Sequence, residues 1–336
     1  MARYKLIAVI VIGVIGAFFT VQCMRIRYSM DLYNQGLASL KARDIHKATH
    51  NFSDAIRYSN GNYLAYEGLG NANYYENRLN EAIQDYTVAI RFNPKYAGAY
   101  YNRGLAFVGK GDFGMAIKDF SQAIQLNSTN YSYYLGRGFA YYGASHYEEA
   151  IHDYNIAALL NKESAEAYYD RGLAYFHKGD YDRAILDYTI AIQLDSGNSL
   201  VYHDRGYTYY CRQEWGKAIC DYERAIQLDA KNGLAYNDYA WLLATCPNPA
   251  FRNGKKAIDL SLKASDITGW KLWVSIDTLA AAYAEAGDFT KAVKYQTQVT
   301  GMNGMSETDY TNSNHRLDLY LQQKPYQETP RENSAR

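Results

Sequence analysis

The chain has 336 residues, and its 35 Lys and Arg are balanced by 35 Asp and Glu, so the formal charge is zero. Without a basic excess to neutralise phosphates, nucleic acid is not an expected partner. Tyrosine is the compositional anomaly at 36 residues, while only five prolines interrupt a chain that can be helical nearly throughout.

The first element is the run LIAVIVIGVIGAFFTVQCM, Leu6 to Met24, which carries no charge. As a helix, its 19 residues just cross a hydrocarbon core of about 30 Å. An N-terminal transmembrane helix is therefore expected within a membrane anchor covering residues 1–28, making the protein single-pass. No small-residue cleavage box follows the run, and Val21 and Gln22 ahead of Cys23 do not form a lipoprotein box. Arg3 and Lys5 on one flank face Arg25 and Arg27 on the other. Lys41 and Arg43 add slight weight to a cytoplasmic C-terminal part, and the side of the membrane stays open.

Beyond the anchor the chain repeats itself every 34 residues. Arg103-Gly104, Arg137-Gly138, Arg171-Gly172 and Arg205-Gly206 keep that interval, and Gly36 and Gly70 extend it upstream. Alanines follow at 48, 82, 116, 150, 184 and 218, and again at 55, 89, 123, 157, 191 and 225. Aromatics keep the same step at Tyr66, Tyr100, Tyr134, Tyr168, Tyr202 and Tyr236, and at Phe52, Tyr86, Phe120, Tyr154, Tyr188 and Tyr222. Small and bulky positions thus interlock, as a stack of like modules requires.

Numbered from the start of each unit, the pattern is an aromatic at position 4, Gly at 8, an aromatic at 11, Ala at 20, an aromatic at 24 and Ala at 27. It resembles the tetratricopeptide repeat family over roughly residues 29–306, with units from about 29, 63, 97, 131, 165 and 199 and weaker copies from 233 and 273. The resemblance implies an all-α fold, a right-handed α-α superhelix (a solenoid) of about eight helical hairpins. A capping helix over 307–324 and a flexible polar tail over 325–336 are expected to follow. Glycine in mid-helix costs about 1 kcal/mol against alanine, so Gly172 and its equivalents are expected to serve close approach of two helices. Gly179-Asp180 reads as the turn, glycine closing one helix and aspartate capping the next.

Arg at position 7 travels with Asp at position 23, which suggests a ladder of partly buried ion pairs. Asp85–Arg103, Asp119–Arg137, Asp153–Arg171 and Asp187–Arg205 would bridge successive units, and pairing within a unit fits the count equally well. The stretch TCPNPAFRNG, 245 to 254, inserts five residues and two prolines between helices and reads as a bulging loop, with Arg252, Lys255 and Lys256 solvated.

Chemistry is hard to find. No phosphate-cradling loop, nucleophile elbow or H-E-x-x-H is present. His46 and His50 stand four apart with no carboxylate evident on their face, so no metal is expected there. Cys211 and His203 are eight residues apart, about 12 Å along a straight helix and too far for proton transfer. The cysteines, at 23, 211, 220 and 246, form no zinc-ligand spacing and read as buried small hydrophobes. No catalytic residue, metal or cofactor is expected, and the chain is not expected to be an enzyme.

What remains is surface. In the family the first helix of each unit lines a concave groove, and positions 2, 5, 9 and 12 follow the stripe that would face it. Here that stripe carries Tyr101, Tyr142, Tyr169, Phe176, His203, Tyr207, Tyr210 and Trp241, and position 6 adds Asp170, Asp204 and Asp238. An aromatic groove that is acidic in its later half suits a protein or peptide with basic or apolar anchors. Carbohydrate or cell-wall glycan is the alternative ligand. The Lys and Asn with which some family members clamp a terminal carboxylate are absent, Glu67, Asn71, Tyr101 and Leu105 standing in their places.

Overall fold

The computed structural model describes residues 2–329, with side chains from residue 18 onward. Among the described residues there are seventeen α-helices and no strand. They fall into two compact units, residues 1–161 and 162–336.

In the first unit, α1 (Ala2–Lys41) pairs through its C-terminal end with α2 (Ile45–Tyr58), and three hairpins follow. These are α3 (Tyr63–Tyr75) with α4 (Leu79–Phe92), α5 (Ala97–Gly109) with α6 (Phe113–Leu126), and α7 (Tyr131–Gly143) with α8 (Tyr147–Leu160). Among the described residues no helix is long and apolar enough to cross a membrane. Residues 6–17 of the apolar run lie outside those whose side chains are described. In its remainder, Phe18, Phe19 and Met24 are well exposed.

The second unit repeats the plan with α9 (Ala165–His177) and α10 (Tyr181–Leu194), then α11 (Ser199–Cys211) and α12 (Trp215–Leu228). Next come α13 (Gly233–Thr245) with α14 (Gly254–Ile267) and α15 (Trp273–Glu285) with α16 (Phe289–Thr300), and α17 (Glu307–Leu321) packs on α16.

The recurring glycines sit where two helices of one hairpin nearly touch. A Cβ on Gly172 would lie 2.7 Å from Cε1 of Tyr188, and on Gly138 2.7 Å from Cε1 of Tyr154. Gly104 faces Phe120, Gly70 faces Tyr86 and Gly36 faces Phe52 in the same way. These rings are almost wholly buried, so the missing side chain makes room for the ring that fills each hairpin. Where the first helix carries Ala240 or Ala280 at this place, the second carries Ser261 or Gln296 instead of a ring, both fully buried. A methyl on the first helix thus goes with a smaller or unringed side chain on the second, so the ring and the missing Cβ occur together.

The turns follow the sequence reading. Gly179 has φ +78° and Asp180 accepts from the Arg183 amide as the cap of α10. Arg43, Asn77, Ser145 and Gln213 occupy the same turn position with positive φ and without being glycine.

The arginine ladder resolves in favour of pairing within a unit. Arg103 forks onto Asp119 through Nε at 2.7 Å and Nη2 at 2.8 Å, and Arg137 onto Asp153, Arg171 onto Asp187 and Arg205 onto Asp221 with like geometry. Among the described residues the expected bridges Asp85–Arg103, Asp119–Arg137 and Asp187–Arg205 are not formed. Asp119, Asp153 and Asp187 are each already filled by the guanidinium sixteen residues before them. Nη1 reaches backward instead, from Arg103 to Thr87, Arg137 to Ser121 and Arg205 to Thr189, so the arginine ties its hairpin to the preceding one through a hydroxyl. Asp85 has Leu69 where the arginine would stand, and it accepts from Asn73 at 2.7 Å. Burial raises its pKa to about 6, against the pull of that bond.

Three further expectations change. The insertion is not a free basic loop: Arg252 donates to Glu285 at 3.0 Å and to the Cys246 carbonyl at 3.0 Å. A 3-10 turn at Pro249–Phe251 and the close approach of Gly254 to the Ala286 backbone hold the chain there. Cys211 and Cys246 are buried, but Cys23 and Cys220 are exposed. His50 does have a carboxylate on its face, Asp54 at 3.3 Å, yet it is solvent-exposed, and no group that could hold a metal occurs among the described residues.

Candidate functional site

The first helices α9, α11 and α13 of the second unit bring together most of the predicted groove residues. A polar chain runs across them. The Tyr169 hydroxyl donates to Asp204 at 2.7 Å, and His203 lies between Asp204 and Asp238 at 2.9 Å to each. Asn237 donates to the other oxygen of Asp238 at 3.1 Å. Burial works against a charge on His203, but the two carboxylates outweigh it and raise its pKa to about 9. At neutral pH the imidazolium therefore donates from both nitrogens, and neither is left to take a thiol proton from Cys211.

This chain corrects the expected electrostatics. The buried His203 cation offsets one of the two charges of Asp204 and Asp238, so the later half of the face is less acidic than its sequence. Asp170 differs: among the described residues it has no hydrogen-bond partner, and burial, helped by Glu166, pushes its carboxyl up to about 7. His203 and Tyr210 were expected to face a ligand and are instead buried, at 7% and 6% exposed. Neighbouring rings cover them. His203 lies 6.0 Å from the Tyr222 ring, and Tyr210 packs on Tyr207 and Trp215 at 6.1 and 5.6 Å. Phe176 touches Tyr181 and Tyr207, and Tyr169 touches Tyr188. These rings therefore join the hairpins to one another as well as lining the face.

In the first unit Tyr101 sits against Phe120 and Tyr133, at 5.6 and 5.1 Å, and Tyr142 against Tyr147. The polar centre there is Glu67, which accepts from Tyr96 and Asn102 at 2.9 Å each. Burial raises the Glu67 pKa, partly countered by those two bonds. Asn71 accepts from Tyr86 at 2.8 Å. Sequence reasoning noted Glu67 and Asn71 but missed the network. A signal was present: Glu67–Asn102, Tyr169–Asp204 and His203–Asp238 are each 35 residues apart, position 5 of one unit bonding position 6 of the next.

The C-terminal segment was also missed. The tail expected to be flexible from 325 is held, over residues 325–329, against α11 and α13. Glu328 accepts from the Tyr210 hydroxyl on one oxygen and from the Trp241 indole on the other, the latter at 3.0 Å. Its amide donates to the Thr245 carbonyl at 2.9 Å. Two residues earlier, the Tyr326 ring packs 6.0 Å from Trp241, and Arg316, fixed by the buried Asp277, lies beside both rings. A cavity of about 240 Å³ adjoins the segment, lined among others by Asn237, Asp238, Trp273 and Arg316. Residues 330–336 lie outside the described residues.

Comparison with known proteins follows from this geometry. A family model described as TPR repeat matches residues 70–111, and two described as tetratricopeptide repeat match 97–130 and 135–199. Comparison with curated proteins gives no significant match. Among solved structures, the chain is similar to a tetratricopeptide repeat protein from Parabacteroides merdae, at 15% identity and TM-score 0.54, over 88% of this chain and 99% of that one. It is similar also to a chain of the APC/C hetero-tetramer Cut9-Hcn1, at 16% identity and TM-score 0.58, over 76% of this chain and 48% of that one. At such identity these likenesses speak to the fold alone. A helical hairpin recurring every 34 residues, matched by three models of one family within residues 70–199, makes that part of the chain an array of tetratricopeptide repeats.

Proposed function

We propose that this protein is a non-catalytic scaffold that binds a partner protein or peptide on the face of its first helices and is held at a membrane by its N-terminal segment. One observation carries the binding reading: a non-helical stretch of the chain itself, 325–329, is seated on that face by side-chain and backbone hydrogen bonds. The face suits such a ligand because its rings are fixed by their neighbours and its polar groups are already oriented, which lowers the entropy lost on binding. The membrane reading is supported by the uncharged run of 19 residues, flanked by arginines and lysine, at the start of α1. Glycan binding has less support, since the Tyr210 ring is buried and Tyr207 stacks against it, which leaves little free ring face for a sugar.

Photo-crosslinking in cells tests this. A benzoylphenylalanine in place of Tyr207 or Trp241 should capture a discrete protein partner from the membrane fraction, while the same probe at the exposed Leu186 on α10 should not. Equal capture from both faces, or none from the first, would remove the assignment. Release of the chain by alkaline carbonate without detergent would remove the membrane part.

A further inference from the structure

We infer that the end of the face formed by Tyr210, Trp241, Thr245 and Arg316 is a selective site for an extended partner segment in which an aromatic residue is followed two positions later by an acidic one. The chain's own Tyr326–Glu328 holds the site until a partner displaces it. This rests on the scaffold reading above and adds the chemistry of the ligand, which differs from the basic or apolar anchors that the sequence suggests.

The site is built for a carboxylate. Two neutral donors, the Tyr210 hydroxyl and the Trp241 indole N–H, each meet a different oxygen of Glu328. A primary amide in the same place would turn an NH2 toward one of two donors and lose that bond. The backbone is read at the same residue, because the Glu328 amide donates to the Thr245 carbonyl at the end of α13. Thr245 is fully buried and its hydroxyl is engaged by the Trp241 carbonyl, so this acceptor is rigid. Two residues earlier Tyr326 lies against Trp241, with the guanidinium of Arg316 at 5.6 and 5.5 Å from the two rings. Arg316 cannot drift off, since Asp277 binds it through Nε at 3.0 Å and Nη2 at 2.9 Å. Carboxylate, backbone amide and ring are thus recognised by four residues of α11, α13 and α17, with Trp241 serving both carboxylate and ring.

The tether makes the segment a competitor. With only residues 322–324 between α17 and Pro325, its effective concentration at the site is on the order of 1 mM. If a free segment binds at about 10 µM, that raises its apparent Kd roughly 100-fold.

The test uses the full chain in detergent and a fluorescent hexapeptide with the sequence of residues 324–329, KPYQET, read by polarisation. The variant Tyr326→Ala/Glu328→Gln, which should vacate the site, is expected to bind the peptide at least 10-fold more tightly than wild type. A peptide with Gln at the acidic position should bind that variant at least 10-fold more weakly. Equal affinity of wild type and variant, or of the two peptides, would overturn the inference. Helical circular dichroism checks the fold of the variant. If it is not retained, Trp241→Phe keeps the ring and removes the donor, and exchange of the Glu328 amide should then quicken at least 10-fold; unchanged exchange also overturns the inference. Face-specific crosslinking with no preference between the peptides would sink the site chemistry alone, whereas loss of the crosslinks themselves would sink the scaffold reading.

Discussion

Gly172→Ala is the substitution that most directly probes why these hairpins repeat as they do. Helix propensity alone favours the change by about 1 kcal/mol, because alanine gives up less backbone entropy than glycine. Packing opposes it. The new Cβ would stand 2.7, 2.8 and 3.3 Å from Cε1, Cδ1 and Cζ of Tyr188, whose side chain is fully buried and has the Tyr169 ring 6.0 Å away. Overpacking of this kind costs about 1–3 kcal/mol, so after the propensity gain of about 1 kcal/mol the net expectation is a loss of up to roughly 2 kcal/mol. Gly114 near the start of α6 is the control. A Cβ there meets only Asp112, at 4.0 Å, and Gly114→Ala should be neutral or stabilising by up to about 1 kcal/mol. The decisive measurement is a double-mutant cycle followed by urea unfolding and helical circular dichroism. Tyr188→Ser reproduces the combination that α13 and α14 carry at Ala240 and Ser261, and should by itself lose about 3–5 kcal/mol to the cavity. In that background Gly172→Ala should reverse sign and stabilise. If it destabilises equally with and without the ring, or raises stability in the wild type, the contact is not the reason for the glycine.

Two other expectations follow from the buried charges. Asp187→Ala removes the carboxylate that Arg171 forks onto and should cost about 3–5 kcal/mol, whereas Arg171→Leu combined with Asp187→Leu should recover most of it, as urea midpoints would reveal. His203 has a folded pKa raised from 6.5 to about 9, so its contribution is fully present below pH 6.5 and lost as pH climbs to about 9. Stability of wild type relative to His203→Gln should fall across that window, and an imidazole that titrates by NMR near 6.5 would contradict the doubly bonded geometry.

Much of the fold is legible in the sequence because each hairpin is a local object. Gly172 meets Tyr188 sixteen residues away, within one unit, so a glycine and a ring recurring at fixed positions announce their contact without any knowledge of the rest. Turn chemistry is similarly local, as Gly179 and Asp180 show. The candidate site is less legible. Tyr169, His203 and Trp241 could be placed on one stripe by counting, but whether a ring on that stripe is offered to a ligand or consumed by its neighbour depends on the next unit, and for Tyr210 and His203 the neighbour takes it.

The period by itself therefore settled that the chain is a series of like helical pairs, and which small and large side chains meet inside each pair. It could not settle the partner of Arg137, because Asp153 lies 16 residues ahead, Asp119 lies 18 behind, and the two separations add to one full repeat. Any residue in a periodic array has such an ambiguity, and only the three-dimensional distance removes it. The same holds for the ladder that steps 35 residues from Glu67, Tyr169 and His203, and for the protonation it imposes on the imidazole. Least accessible of all was the seat of Glu328, which is 87 residues from Trp241 and belongs to no repeat. A segment that occurs once leaves no periodic trace, so tertiary structure alone places its carboxylate between the Tyr210 hydroxyl and the Trp241 indole.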